Sequence, residues 1–243
     1  MTEADRGAVP ERWTTGAEAE SRRDCVTPPP FLFTGQHGSA ALQADALECR
    51  RGDRTLFRDI AFALRAGDWL HVIGANGVGK TSLLRTLIGL APPTRGRVRW
   101  NGFTVGDDDF RERVLYLGHA SGVKDALSAV ENLQVAAALD GRPVSGSAAR
   151  DALAWLGLRG RVDVPLRLLS QGQRRRALLA RLLVSPAQLW VLDEPFAALD
   201  AGAVASIGAL LRAHLVRGGM AVLTSHQPVP LADGIELVLG RRQ

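Results

Sequence analysis

Gly74-Ala75-Asn76-Gly77-Val78-Gly79-Lys80-Thr81 satisfies the pattern G-x-x-x-x-G-K-[ST]. It follows the apolar run Trp69 to Ile73, which suits a buried strand, and precedes a helical stretch from Thr81 to Ile88. Its glycines let the backbone curl so that successive N–H groups point at phosphate oxygens, and the following helix adds its positive end. Lys80 is placed to reach the β and γ phosphates of a nucleoside triphosphate, and the Thr81 hydroxyl to bind Mg²⁺. A glycine-rich turn without a ligand needs neither this Lys-Thr pair nor a strand-to-helix context.

Moving outward, the apolar run Leu189 to Leu192 ends in Asp193-Glu194-Pro195. Asp193, at a strand end facing the glycine loop, is placed to hold Mg²⁺, and Glu194 to polarise an attacking water as general base. Upstream lies Leu169-Ser170-Gln171-Gly172-Gln173, followed by Arg174-Arg175-Arg176 and an apolar helix. A serine hydroxyl and free N–H groups at a helix start make a second anion site, with the arginine run beside it. By itself this element is only a capped helix.

The rest of the pattern fits one α/β domain. Further apolar runs, Val114 to Leu117 and Met220 to Leu223, read as buried parallel strands. Helices are expected at 131–139, 148–156, 171–184 and 203–216. Leu42 to Cys49, Asp59 to Arg65 and Arg97 to Trp100 read as an antiparallel layer, the last closing on the turn Asn101-Gly102. Strands alternating with helices imply a parallel sheet.

Composition bounds the alternatives. The chain has 243 residues, 46% of them hydrophobic and 23% charged, which excludes collagenous and disulfide-framework classes. Cys25 and Cys49 are the only cysteines, too few for a C-x-x-C metal site. No run of about 18 apolar residues offers a membrane span, and the charged start reads as no secretory signal, so a cytosolic chain is expected. The net charge of +5 divides unevenly. Residues 1 to about 41 form an acidic tail read as disordered, with Trp13 and Phe31-Leu32-Phe33 as anchors if it binds a partner. The rest is basic through arginine, since Lys80 and Lys124 are the only lysines.

In this order and spacing the G-x-x-x-x-G-K-T, L-S-x-G-Q and strand-D-E-P elements resemble the nucleotide-binding subunits of ABC transporters, over residues 42–243. Ala198-Leu199-Asp200 resembles the D-loop of that family, and His226 in Thr224-Ser225-His226 its switch histidine. The resemblance implies a P-loop ATPase with a mixed sheet, an antiparallel β layer and a helical subdomain at about 119–176. It also implies a head-to-tail homodimer that sandwiches ATP and Mg²⁺ between one chain's Gly74–Thr81 loop and the other's Ser170, Gly172 and Gln173. The translocating part is then a separate membrane-spanning permease, and this chain is peripheral on the cytoplasmic face of the inner membrane.

A closer likeness is to the ATP-binding subunit of the cytochrome c maturation (haem exporter) system. It is carried by Arg54-Thr55-Leu56-Phe57, Tyr116-Leu117-Gly118-His119, Glu131-Asn132-Leu133 and Thr224-Ser225-His226-Gln227-Pro228. His119 falls where most cassettes have a glutamine beside the nucleotide, and Arg51 where most have an aromatic residue that stacks on adenine. A guanidinium plane can stack on a base, and a solvent-exposed arginine is the equal alternative. The expected activity is ATP hydrolysis coupled to haem export or haem-chaperone release. The competing readings are the ATPase of a lipid or drug exporter, and a soluble ABC protein acting on nucleic acid or ribosomes. The second is disfavoured because one cassette without coiled-coil insertions is visible, so no nucleic-acid partner is expected.

Overall fold

The computed structural model describes residues 41–118 and 122–240. The acidic tail and His119 lie outside the described residues.

Among the described residues nine strands form two sheets. Strands β1 (Ala41–Arg51), β2 (Arg54–Arg65), β4 (Arg95–Trp100) and β5 (Phe103–Thr104) make an antiparallel sheet of order β2-β1-β4-β5. Strands β3 (Trp69–Ile73), β6 (Val114–Leu117), β7 (Leu189–Leu192), β8 (Met220–Thr224) and β9 (Ile235–Val238) make a parallel sheet of order β6-β7-β8-β3-β9. The expected antiparallel layer beside a parallel sheet is therefore present. Strand β9 lacked a sequence expectation because an edge strand with one half-covered face, Ile235-Glu236-Leu237-Val238, has no continuous apolar run.

Side-chain alternation splits the core in two. Leu70, Val72, Leu189, Val191, Met220 and Val222 pack with the antiparallel sheet and with Leu83, Leu84 and Leu87 of α1 (Lys80–Leu87). Their neighbours Trp69, Trp190, Leu192, Ala221 and Leu223 face the other way, into a helical layer. That layer contains α3 (Ala129–Leu139), α4 (Gly146–Leu153), α5 (Gln171–Leu179), α6 (Arg181–Val184) and α7 (Ala201–Val216), while the short α2 (Asp108–Arg111) precedes β6. Both faces of the central strands β7 and β8 are covered, which is why they read as apolar runs.

Two of the expected helical stretches are interrupted. The stretch 148–156 leaves α-geometry after Leu153, because Gly157 takes φ 76° inside a wide turn over Ala154–Leu158. The stretch 171–184 divides at Ala180 into α5 and α6.

One glycine ties the antiparallel sheet together. Gly96 has φ +83°, and a Cβ there would drive into the carbonyl oxygens of Asp45 and Ala46, where β1 breaks register against β4. Gly96→Ala therefore combines a left-handed strain with a clash against backbone, and destabilises by about 2 kcal/mol or more. Thermal unfolding checks this, with an expected fall of about 4–8 °C.

Candidate functional site

The C-terminal ends of β3, β7 and β8 converge on one open cleft of about 700 Å³. Outside the carboxyl ends of parallel strands is where open α/β sheets bind ligands. The glycine loop leaves β3 and enters α1 with Gly77 at φ +74° and Gly79 at φ +112°. A Cβ on Gly79 would lie 3.0 Å from the Leu56 Cβ, so the loop can lie against β2 only with glycine there. Gly77 lines the cleft, and a Cβ on it would meet nothing within 4 Å.

Lys80 is 9% exposed at the start of α1, and its Nζ donates to the Gly74 carbonyl at 2.6 Å and lies 3.3 Å from His226 Nε2. Next to it Thr81 Oγ1 donates to Asp193 Oδ2 at 2.8 Å. The other Asp193 oxygen accepts from Thr224 Oγ1 at 2.8 Å, deep in the sheet where Thr224 is fully buried. Thr224 Oγ1 in turn accepts the Glu194 N–H at 2.9 Å. Glu194 Oε2 accepts from the His226 N–H at 3.2 Å, while its buried Oε1 makes no hydrogen bond and lies 3.4 Å from His226 Nε2. His226 Nε2 also lies 3.0 Å from Asn76 Oδ1.

Thus residues from four separate segments line one cleft: Asn76, Lys80 and Thr81, Asp193 and Glu194, His226, and Arg51 with Arg54. The donor set suits a nucleotide with a hard divalent cation. An ammonium and the N-terminal N–H groups of α1 face the cleft, and a hydroxyl and a carboxylate lie in contact. No group of three or more His, Cys, Asp or Glu side chains able to hold a metal alone occurs among the described residues. A metal held by one hydroxyl, one carboxylate and ligand phosphates is the Mg²⁺ pattern.

Ala75 and Val78 belong to the same loop, closed by a Val78 N–H to Ala75 carbonyl bond at 3.3 Å. Ser170, Gly172, Gln173 and Asp200 do not line the cleft. Ser170 caps α5: its Oγ accepts from Gln173 N at 3.2 Å, and its N–H donates to Gln173 Oε1 at 3.0 Å. Asp200 caps α7 by accepting from Ala203 N at 2.8 Å.

The arginine run follows the Ser170 cap on α5, beside that helix start as expected. Its guanidinium groups turn back onto their own chain, not toward an anion at the Ser170 end. Arg174 Nε donates to Leu166 O at 2.6 Å, Arg176 Nη1 to Leu156 O at 3.5 Å, and Arg175 reaches the carbonyls beside Glu194. A long donor fork on a helix that packs beside chain turns adds side-chain donors to carbonyls there, Leu166 O and Glu194 O also accepting the N–H groups of Leu169 and Ala197.

The ABC transporter family profile matches residues 57–197. The cytochrome c biogenesis ATP-binding export protein CcmA of Dechloromonas aromatica is 50% identical over 203 residues, 82% of this chain and 100% of that protein. CcmA of Methylococcus capsulatus is 51% identical over 189 residues, 77% of this chain and 91% of that one. The chain belongs to the CcmA family of ABC transporter ATPases. A putative ABC transporter ATP-binding protein from Pyrococcus furiosus has the same fold, with TM-score 0.72 at 24% identity, covering 82% of this chain and 97% of its own. The post-hydrolysis dimer of the ATP-binding cassette MJ0796, bound to ADP and Pi, also gives TM-score 0.72, at 21% identity.

As a CcmA-family ATPase the chain binds ATP. No helix among its described residues is long and apolar enough to cross a membrane. Sequence reading missed two groups at the site. Thr224 was legible only as part of Thr224-Ser225-His226, although a hydroxyl ending an apolar strand beside an acidic one is a signal for a shared partner. Arg175 carried no signal, being hidden in a run of three like residues.

Proposed function

We propose that this protein is the ATP-hydrolysing subunit of a membrane complex in c-type cytochrome biogenesis, coupling hydrolysis to haem export or to release of a haem chaperone. The observation that carries the reading is the meeting of Lys80, Thr81, Asp193, Glu194 and His226 at one cleft, in a chain about 50% identical to CcmA proteins. The triphosphate lies along Gly74–Thr81, with Lys80 on its β and γ phosphates. Arg51 and Arg54 line the same cleft and are the groups offered to the base. Thr81 Oγ1 and the Asp193 carboxylate are the groups that would hold Mg²⁺, which when bound neutralises charge on the phosphate oxygens.

Glu194 takes a proton from the attacking water as the new O–P bond forms, and the bond to the β-phosphate oxygen breaks. His226, whose N–H holds one Glu194 oxygen, presents its imidazole to the γ-phosphate. Since Ser170, Gly172, Gln173 and Asp200 lie away from this chain's own cleft, a second copy supplies them. That makes a head-to-tail dimer which closes on ATP and reopens after hydrolysis, a two-state motion that a partner can use. The partner is a separate membrane-spanning subunit, with this chain peripheral at the cytoplasmic face, residues 42–243 acting as the nucleotide-binding domain and His119 taking the sequence position where most cassettes have a glutamine.

The test is a deletion strain. Membrane c-type cytochrome content should fall to background and return with the wild-type gene but not with a Glu194→Gln copy. Normal cytochrome c content, with loss of a lipid or drug export function instead, would sink the haem reading. Detergent extraction should bring down a multispanning protein with this subunit, and its absence at low salt would defeat the coupling.

A further inference from the structure

Glu194 is a non-glycine residue with φ +52°. A left-handed conformation costs an L-residue roughly 1–2 kcal/mol and persists where its surroundings over-determine it. Here the peptide is gripped from two sides. On the β8 side Thr224 Oγ1 accepts the Glu194 N–H at 2.9 Å. On the other side Arg175 Nη2 donates to the carbonyls of Glu194 at 2.6 Å and Asp193 at 2.9 Å, and its Nε to that of Pro195 at 3.4 Å. One guanidinium fork therefore holds three consecutive carbonyls. Burial lowers the Arg175 pKa, and the Asp193 and Glu194 carboxylates oppose that fall.

Arg175 lies on α5, the helix that Ser170 caps. The same helix touches the acidic turn again at its start, where a Cβ on Gly172 would come within 2.8 Å of Ala198 O. We propose that Arg175 is a positioning residue that ties the Ser170-capped helix to the peptide aiming Glu194, so that displacement of α5 misaims the carboxylate. This rests on Glu194 being the general base. An amide or ammonium cannot substitute, because only the planar fork offers donors spread widely enough for three carbonyls. In a head-to-tail dimer the consequence is a link between sites: α5 carries the segment facing the partner's nucleotide and also grips the chain's own Glu194.

ATP turnover and ATP affinity are measured on the membrane-purified complex for Arg175→Ala, Arg175→Lys and Glu194→Gln. Arg175→Ala should lose roughly 100-fold in kcat, with ATP affinity kept within about twofold. Millimolar guanidinium ion should restore part of that loss in Arg175→Ala and none in Glu194→Gln. Arg175→Lys, a point donor that keeps the charge and most of the volume, should fall between wild type and Ala, and it carries the measurement if Arg175→Ala does not fold. Wild-type kcat in Arg175→Lys and Arg175→Ala beside an inactive Glu194→Gln overturns the inference alone. So does a kcat loss matched by equal losses of ATP affinity and thermal stability and unmoved by guanidinium, which is a merely structural role. Near-normal turnover in Glu194→Gln overturns the general-base reading and this inference together.

Discussion

Glu194→Gln should bind ATP as the wild type does and lose about 10²- to 10⁴-fold in turnover. The substitution keeps the size of the side chain and its ability to accept from the His226 N–H, which the carboxylate does at 3.2 Å. It removes the negative charge that draws a proton from water. The backbone geometry at this residue depends on its N–H to Thr224 and its carbonyl to Arg175, neither of which involves the side chain, so the fold should be undisturbed. Single-turnover hydrolysis with separate measurement of ATP affinity distinguishes the two effects. Affinity falling in step with turnover would mean that Glu194 acts in binding.

Lys80→Ala should lose ATP affinity by about 30- to 1,000-fold, corresponding to roughly 2–4 kcal/mol for deleting one partner of a shielded charge pair. Lys80 is nearly buried, and its Nζ sits 2.6 Å from Gly74 O and 3.5 Å from Ala75 O inside the curve of the loop. A compact ammonium fits there. Lys80→Arg should also fail, because a planar fork is wider than the loop's interior and would push on the Gly74 and Ala75 carbonyls. Equilibrium binding of a fluorescent ATP analogue checks both variants. Wild-type affinity in Lys80→Arg would show that charge alone suffices. The expectation is sharpened by composition: a chain that uses arginine almost everywhere places one of its two lysines at this position.

Much of the fold was legible because its signals are local. Strands β3, β6 and β7 fall at their expected bounds, since strands packed against the core are built mainly of apolar residues, with His71 the exception in β3. The P-loop was readable for a similar reason: the curl that exposes its N–H groups needs glycine at Gly77 and Gly79, whatever surrounds it. Helix ends were less legible. Ser128 and Ser170 both form capping boxes, with Glu131 and Gln173, so α3 begins two residues before its apolar period does.

Residue types and order along the chain therefore determined the parallel sheet, the phosphate loop and the pairing of an acidic strand end with it. They are set by backbone sterics and by burial, which act over a few residues. Only the tertiary structure decided how the carboxylates are held. Thr224 shares one hydroxyl between Asp193 and Glu194 across adjacent strands, and Arg175 reaches 18 and 19 residues along the chain to their carbonyls. It also decided that the Ser170 end of α5 stands away from the chain's own cleft, and that the arginine run serves carbonyls in place of an anion. Such contacts depend on which side chains the packing of separate elements brings within about 3 Å, and no periodicity or spacing encodes that distance.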